Sequence, residues 1–246
     1  MRLRAALFDV GDTLVEHWAP RDRLNELLRE ALRKDFSHCA WIEDFINAEI
    51  GPGRFTAAQT SLAEPIADDE ALRQETLRWY RDWFENAKIG IDDVNLDRLR
   101  VCMTVPLDLV STPVPGAFDA LRWCKANDLA VVLVTNTLSR GDAEVWEDWR
   151  RFGVADAIDA VVTSHDAGWQ KPHRVMFDRA LALARVRAAE AVMVGDRLDA
   201  DIKGASRLGM RTVLRRTEQP QAAPEADPDA TVEDLRELPA VLAAWL

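Results

Sequence analysis

The chain has 246 residues, 48% of them hydrophobic, enough to bury one sizeable core with an insertion but short for two full domains. A formal net charge of -11 argues against nucleic acid or an anionic membrane surface as partner, and an anionic small molecule would need a locally basic site or a metal. The three cysteines, Cys39, Cys102 and Cys124, are too scattered to ligate a metal and read as buried free thiols of a reducing compartment.

The N-terminal "MRLRAALFDV" runs straight into a strand pattern without a signal-peptide core. No apolar run approaches the length of a membrane span, so a soluble, cytoplasmic protein is expected. After "RAALFDV" come four more short apolar runs: "LAVVLVTN" (Leu129 to Asn136), "AVVTS" (Ala160 to Ser164), "AVMVGD" (Ala191 to Asp196) and "RTVLR" (Arg211 to Arg215). They are rich in Val and Leu without alternation, which is what parallel strands covered on both faces require. Between them, "VPGAFDALRWCKAND", "KPHRVMFDRALALARV" and "DADIKGASRLGM" carry helical periodicity, the last stopping at Gly209. Strand and helix in alternation give an α/β fold with a doubly wound, Rossmann-like parallel sheet, whose ligands bind outside the carboxyl ends of the strands. Asp9, Thr135, Ser164 and Asp196 all fall at that edge.

Val15 to Thr112 breaks the alternation. It holds no credible strand and several amphipathic stretches, "PRDRLNELLREALRK", "CAWIEDFINAEI", "DDEALRQETLRWYRDWFENAK" and "NLDRLRVCM", which predict an inserted helical bundle. The expected division is a core of residues 1–14 and 113–246 and a helical cap of residues 15–112, rejoining through the proline-rich "STPVPG". Leu72, Trp79, Tyr80 and Trp83 share a helical face and read as bundle core. The acidic "EQPQAAPEADPDA" predicts a flexible connection ahead of an edge strand and the helix "VEDLRELPAVLAAWL".

Several polar residues carry chemistry at the strand ends. A carboxylate closing the first strand, Asp9, can be a nucleophile. The Thr135 hydroxyl and the amides after it, Asn136 included, can hold an anionic oxygen. Lys171 precedes Pro172, a residue suited to the first position of a helix, so an ammonium and a helix N-terminus would meet an anion together. "GDRLDAD" offers Asp196, Asp199 and Asp201, and hard oxygen ligands clustered with Asp9 suit Mg²⁺. Asp199 reads as a solvated or capping residue. His17, His38, His165 and His173 make no paired spacing, and Arg140, Arg174 and Arg197 read as solvated loop arginines.

Taken in order, "FDVGDTL", "VVLVTN", "GWQKP" and "VMVGDRLDADIKGASRLGM" resemble the four motifs of the haloacid dehalogenase (HAD) superfamily, with the helical insertion where members with a type-one cap carry theirs. The resemblance implies a Mg²⁺-dependent phosphatase of a small phosphorylated metabolite. Asp9 would be the nucleophile of an aspartyl-phosphate, Thr135, Asn136 and Lys171 would bind the phosphoryl group, and Asp9, the Gly11 carbonyl, Asp196 and Asp201 would form the metal site, with Asp201 a ligand or an outer carboxylate. One position departs from it. Most phosphatases of the superfamily place an acid-base aspartate two residues after the nucleophile, and here that residue is Gly11. Asp12 is the substitute if the loop turns sharply, which Gly11 would permit; otherwise Asp12 serves the turn backbone. The departure leaves open a metal-independent 2-haloacid dehalogenase, a phosphonatase using a cap lysine such as Lys34 or Lys88, or a phosphate-binding protein with little catalysis.

Overall fold

A computed structural model describes residues 2–17, 19–50, 76–137, 139–218 and 227–246. Its strands are β1 (Ala5–Phe8), β2 (Val15–His17), β3 (Ser111–Pro113), β4 (Ala130–Thr135), β5 (Ala160–Thr163), β6 (Ala191–Gly195), β7 (Arg211–Arg215) and β8 (Ala230–Val232). Six of them form one parallel sheet in the order β5-β4-β1-β6-β7-β8. The chain builds outward from β1 through β4 to β5, then crosses back to β6 on the other side. β1 therefore sits at the reversal of strand order, where the crevice of a doubly wound sheet opens. Each expected apolar run is found as a strand, and the expected edge strand is β8.

Burial on both faces explains the absence of alternation in these runs. Ala6, Phe8, Val131, Leu133, Val192 and Val194 face one apolar cluster. It is closed by α5 (Ala117–Ala126), α6 (Asp142–Arg151) and α10 (Leu238–Ala243). Ala5, Leu7, Val132, Val134 and Met193 face the other, closed by α8 (Arg174–Ala184) and α9 (Lys203–Ser206). The period of two survives in which cluster each residue joins, although both sides are apolar. A short helix, α7 (Ser164–Ala167), follows β5 directly. Cys102 and Cys124 are buried free thiols, as expected, and Cys39 is half-buried.

The insertion contains α1 (Arg21–Phe36), α2 (Ile42–Glu49), α3 (Thr76–Ala87) and α4 (Asp93–Cys102). Leu28, Leu32, Phe36, Phe45, Ile46, Tyr80, Phe84, Leu96 and Leu99 give it an apolar cluster of its own. Trp83 packs edge-on to Phe45 at 4.9 Å between ring centroids. Tyr80 and Trp83 thus join this cluster as expected, while Leu72 and the Trp79 side chain lie outside the described residues.

Three local expectations need correcting. The interval from Val15 to Thr112 is not free of strands: β2 and β3 form an antiparallel ribbon at its two ends, with Val15 opposite Pro113 and His17 opposite Ser111. Three-residue strands are too short for any periodic signal. The helix expected to open on Pro172 begins two residues later, with His173 as its N-cap. "DADIKGASRLGM" is not one α-helix: Leu198–Ile202 forms a wider π turn, in which Ile202 N–H donates to Arg197 O, before α9 begins. Among the described residues, no helix is long and apolar enough to cross a membrane.

Candidate active site at the carboxyl edge of the sheet

Asp9 immediately follows β1, its N–H donating to the Val194 carbonyl at 2.9 Å, so the edge of the central strand fixes its position. Thr135 is the last residue of β4, and Asp196 immediately follows β6. All three are buried. One carboxylate oxygen from each of Asp9, Asp196 and Asp201 falls within a sphere where all lie within 4.8 Å of one another.

Lys171 is the cation of this cluster and is 2% exposed. Its ammonium donates to Asp9 Oδ1 at 2.6 Å and to the Val134 carbonyl at 2.7 Å, and it pairs with Asp201 Oδ1 at 2.7 Å. Three oxygens surround an ion with three donors, which is how a buried ammonium keeps its charge. Burial works against that charge, but Asp201 and Asp9 outweigh it and hold the lysine above its ordinary pKa. Lys171→Met keeps the length and removes the charge, leaving Asp9 and Asp201 facing each other. In metal-free protein it is expected to cost about 3–5 kcal/mol, read as a lower melting temperature in chelator. An unchanged melting temperature would mean that the ammonium is not needed to hold the two carboxylates together.

The loop carrying Lys171 is clamped from β4. Asn136, the next residue after that strand, accepts the Lys171 N–H with Oδ1 at 2.8 Å and donates from Nδ2 to the Lys171 carbonyl at 3.1 Å. The Asn136 side chain is thus committed to the backbone of the lysine, whereas the group expected to hold an anionic oxygen is the backbone amide of Asn136. The segment after Asn136 is held in turn by Ser164, whose hydroxyl accepts the Thr137 N–H and donates to the Thr137 carbonyl.

Asp196 is differently placed. Burial raises its pKa well above the carboxylate range, and Asp9, Asp201 and Asp12 raise it further, with Lys171 opposing. The Thr13 hydroxyl donates to Asp196 Oδ1 at 3.3 Å. Three converging carboxylates share one ammonium, and that ammonium touches Asp9 and Asp201. The surplus negative charge at Asp196 is the observation that a divalent cation with oxygen ligands fits.

Asp201 is buried and lies against Gly195, where an added Cβ would collide with its carboxylate. Its Oδ2 also accepts the Arg197 N–H at 3.1 Å. Gly195→Ala is therefore expected to destabilise the fold by about 1–3 kcal/mol and to push Asp201 off Lys171. Equal melting temperatures of the two proteins would contradict this close approach. Asp199 is turned onto the Arg197 guanidinium at 2.9 and 2.7 Å and is absent from the carboxylate cluster, so it is an ion-pair partner rather than the capping or solvated residue expected.

The loop after Asp9 corrects the expectation about Gly11. The residue that takes the left-handed turn is Asp12, at φ 53°, and a Cβ built at Gly11 meets nothing within 4 Å. Asp12 N–H donates to the Val15 carbonyl, and the Asp12 carbonyl accepts the Arg215 guanidinium, which also holds Glu16 at 2.6 Å. The turn is thus closed by the backbone of Asp12 and by Arg215 from the end of β7. Burial pushes the Asp12 carboxyl up, His17 pulls it down, and Asp9 pushes it up again, so its carboxyl lies within the field of the nucleophile candidate. Lys34 and Lys88 are both exposed.

Sequence reasoning missed Thr13, Gly195 and Arg215, and it missed that Asn136 serves Lys171. Gly195 had a readable signal, since a glycine ending a buried strand marks a close approach. The others depend on contacts across the fold.

Residues 108–192 match the haloacid dehalogenase-like hydrolase family, and residues 168–238 match the HAD-hydrolase-like family. The chain is 40% identical over 119 residues to a ribulose-1,5-bisphosphate 5-phosphatase of Halopiger xanaduensis, a stretch that spans 48% of this chain and 48% of that protein, so about half of that relative's length is covered. It is 29% identical over 221 residues to a glyceraldehyde 3-phosphate phosphatase of Pyrococcus furiosus, covering 86% of this chain and 80% of that one. Among solved structures, the 2-haloacid dehalogenase of Pseudomonas syringae pv. Tomato matches with a TM-score of 0.65 over 99% of this chain and 100% of that one at 24% identity, a likeness of fold.

Proposed function

Because the chain belongs to the haloacid dehalogenase superfamily of hydrolases, we propose that it is a Mg²⁺-dependent phosphatase of a small phosphorylated metabolite, acting through Asp9. The observation that carries this reading is the buried Lys171 ammonium held between Asp9 and Asp201 beside a third carboxylate, Asp196. A displacement at carbon needs a nucleophile but no such surplus of carboxylates. A phosphoryl group brings negative charge, and only a cation in addition to Lys171 would balance it.

Asp9, Asp196 and the Gly11 carbonyl would hold the ion, with Asp201 one step removed because it is spent on Lys171 and the Arg197 N–H. When bound, Mg²⁺ supplies positive charge to the phosphoryl oxygens and orients them. The rest falls to the protein. Lys171 fixes Asp9 through Oδ1 and neutralises charge as the phosphoryl group arrives. Thr135 and the Asn136 N–H bind its oxygens. A carboxylate oxygen of Asp9 attacks phosphorus, the ester P–O bond breaks, and the leaving oxygen takes a proton. We assign that proton to Asp12: its left-handed turn ends the extended path on which a third residue would face away. Asp12 then accepts a proton from the water that attacks the aspartyl-phosphate, releasing phosphate and restoring Asp9. To the helical insertion we assign the exclusion of water and the selection of the substrate.

The test is phosphate release from a panel of phosphorylated sugars and acids, with and without Mg²⁺, with Asp9→Asn as control. Turnover that needs Mg²⁺ and is lost in the variant supports the reading. Halide release without metal, or phosphate binding with no turnover of any ester, overturns it.

A further inference from the structure

Two helices of the insertion reach the core at the segment that follows Asn136. On α4, Arg100 is 6% exposed, and its guanidinium spends its donors on both sides of a seam. Nε donates to Asp97 Oδ1 on its own helix at 2.7 Å. Nη1 donates to the Ser139 carbonyl at 2.5 Å and to Glu144 Oε2 at 3.0 Å, and Nη2 donates to Glu144 Oε1 at 3.2 Å. On α3, the Tyr80 hydroxyl lies 2.9 Å from the Ser139 hydroxyl. Glu144 sits in the first turn of α6 and also accepts the Gly141 N–H at 2.7 Å. Arg100 therefore grips the segment at two points, a carbonyl before Gly141 and the carboxylate that caps it.

The same segment leads back to Lys171. Thr137 is fixed to Ser164, and Thr137 Oγ1 donates to the Arg140 carbonyl at 2.6 Å, closing the segment on itself. Asn136 clamps the Lys171 backbone through two hydrogen bonds, and Lys171 holds Asp9. A continuous path of short contacts thus runs from the insertion to the nucleophile. Other links between insertion and core, such as Arg151 to Asp108 and the Leu107 N–H to Asp148, sit next to β3, where the insertion rejoins the core, and anchor its exit. Arg100 and Tyr80 act from the helices.

We propose that Arg100, with Tyr80, is a positioning residue that ties the seat of the helical insertion to the placement of the Asn136–Lys171 clamp. Seating the insertion and completing the phosphoryl site are then one event. A substrate that lets the insertion settle also brings Lys171 to Asp9, and an unseated insertion leaves the clamp loose. This inference rests on the phosphatase reading for its kinetic consequence, but its structural consequence stands apart from it.

The experiment compares wild type, Arg100→Met, Arg100→Lys, Asn136→Ala and the double variant Arg100→Met with Asn136→Ala. Arg100→Met is expected to lower kcat on the preferred phosphate ester about 10- to 100-fold while the enzyme remains folded. Lysine, which can still reach the Ser139 carbonyl, recovers part of it. The double variant loses little more than the worse single one, because both interrupt the same path. Hydrogen exchange at the Gly141 and Lys171 amides is expected to quicken about tenfold in Arg100→Met, and the Lys171 amide reports on a site that Arg100 does not touch. If Arg100→Met does not fold, Tyr80→Phe removes one hydroxyl and is expected to lower kcat about three- to tenfold. A wild type without Mg²⁺-dependent turnover defeats the phosphatase reading and leaves the exchange result to decide the coupling. Unchanged exchange at Lys171, or additive losses in the double variant, defeats the coupling whatever the wild type does.

Discussion

Asp9→Asn is expected to lower Mg²⁺-dependent phosphate release by at least about 10⁴-fold. The amide has nearly the shape of the carboxylate, so Val194 still receives the backbone N–H and the strand end is unmoved. What changes is charge and nucleophilicity. A neutral carboxamide cannot form an acyl phosphate, so the two-step route through a covalent intermediate is closed. Lys171 would lose its charged partner at 2.6 Å but keep Asp201 and the Val134 carbonyl, so the ammonium remains held. The folded protein should survive with its melting temperature close to wild type. Phosphate release in a discontinuous assay and thermal unfolding together check this; turnover within tenfold of wild type would remove Asp9 from the chemistry.

Asp12→Asn is expected to lower kcat about 10²- to 10⁴-fold, the range for loss of a general acid-base group. Gly11→Asp in that background should restore most of it. The second half follows from the space at position 11, where an added Cβ meets nothing within 4 Å and φ is not left-handed. An aspartate there needs no rearrangement, so the rescue tests chemistry without a folding cost. In the wild-type background Gly11→Asp adds little, because Asp12 already supplies the proton. The opposite pattern is equally informative. If Asp12→Asn turns over like wild type while Gly11→Asp alone brings a large gain, Asp12 belongs to the turn and the native site runs without an acid-base group.

The strands were legible because a strand covered on both faces must be apolar throughout, and residues 130–134 and 191–195 are. The convergence of Asp9, Thr135 and Asp196 followed from topology, since parallel strands bring their carboxyl ends to one edge. What was hidden had no period. The β2–β3 ribbon consists of two three-residue strands on either side of the helical insertion. The Asn136 side chain gave no sign of its role, because its partner lies 35 positions away in the Lys171 backbone. Strand alternation gives no direction for the Asp12 side chain, because a left-handed residue ends the extended path there. The polar contacts of Tyr80 and Arg100 were equally invisible: a helical pattern shows which face is buried, not that one buried phenol or guanidinium continues into another layer.

The ribbon also bears on how the chain finds this fold. His17 and Ser111 are separated by 94 positions and joined by a 2.8 Å hydrogen bond. Bringing such distant points together costs about 4 kcal/mol of chain entropy in the logarithmic law of loop closure, more than a short ribbon returns. The apolar cluster of the insertion supplies the difference, since its helices bring the two ends side by side. That closure lies wholly inside the span from Ala5 to Ala130, the first pairing of the central strand with β4. Once the insertion has formed, the search for that pairing runs over a far shorter effective chain. The long excursion after the first strand then adds mainly local contacts to the contact order that governs folding speed.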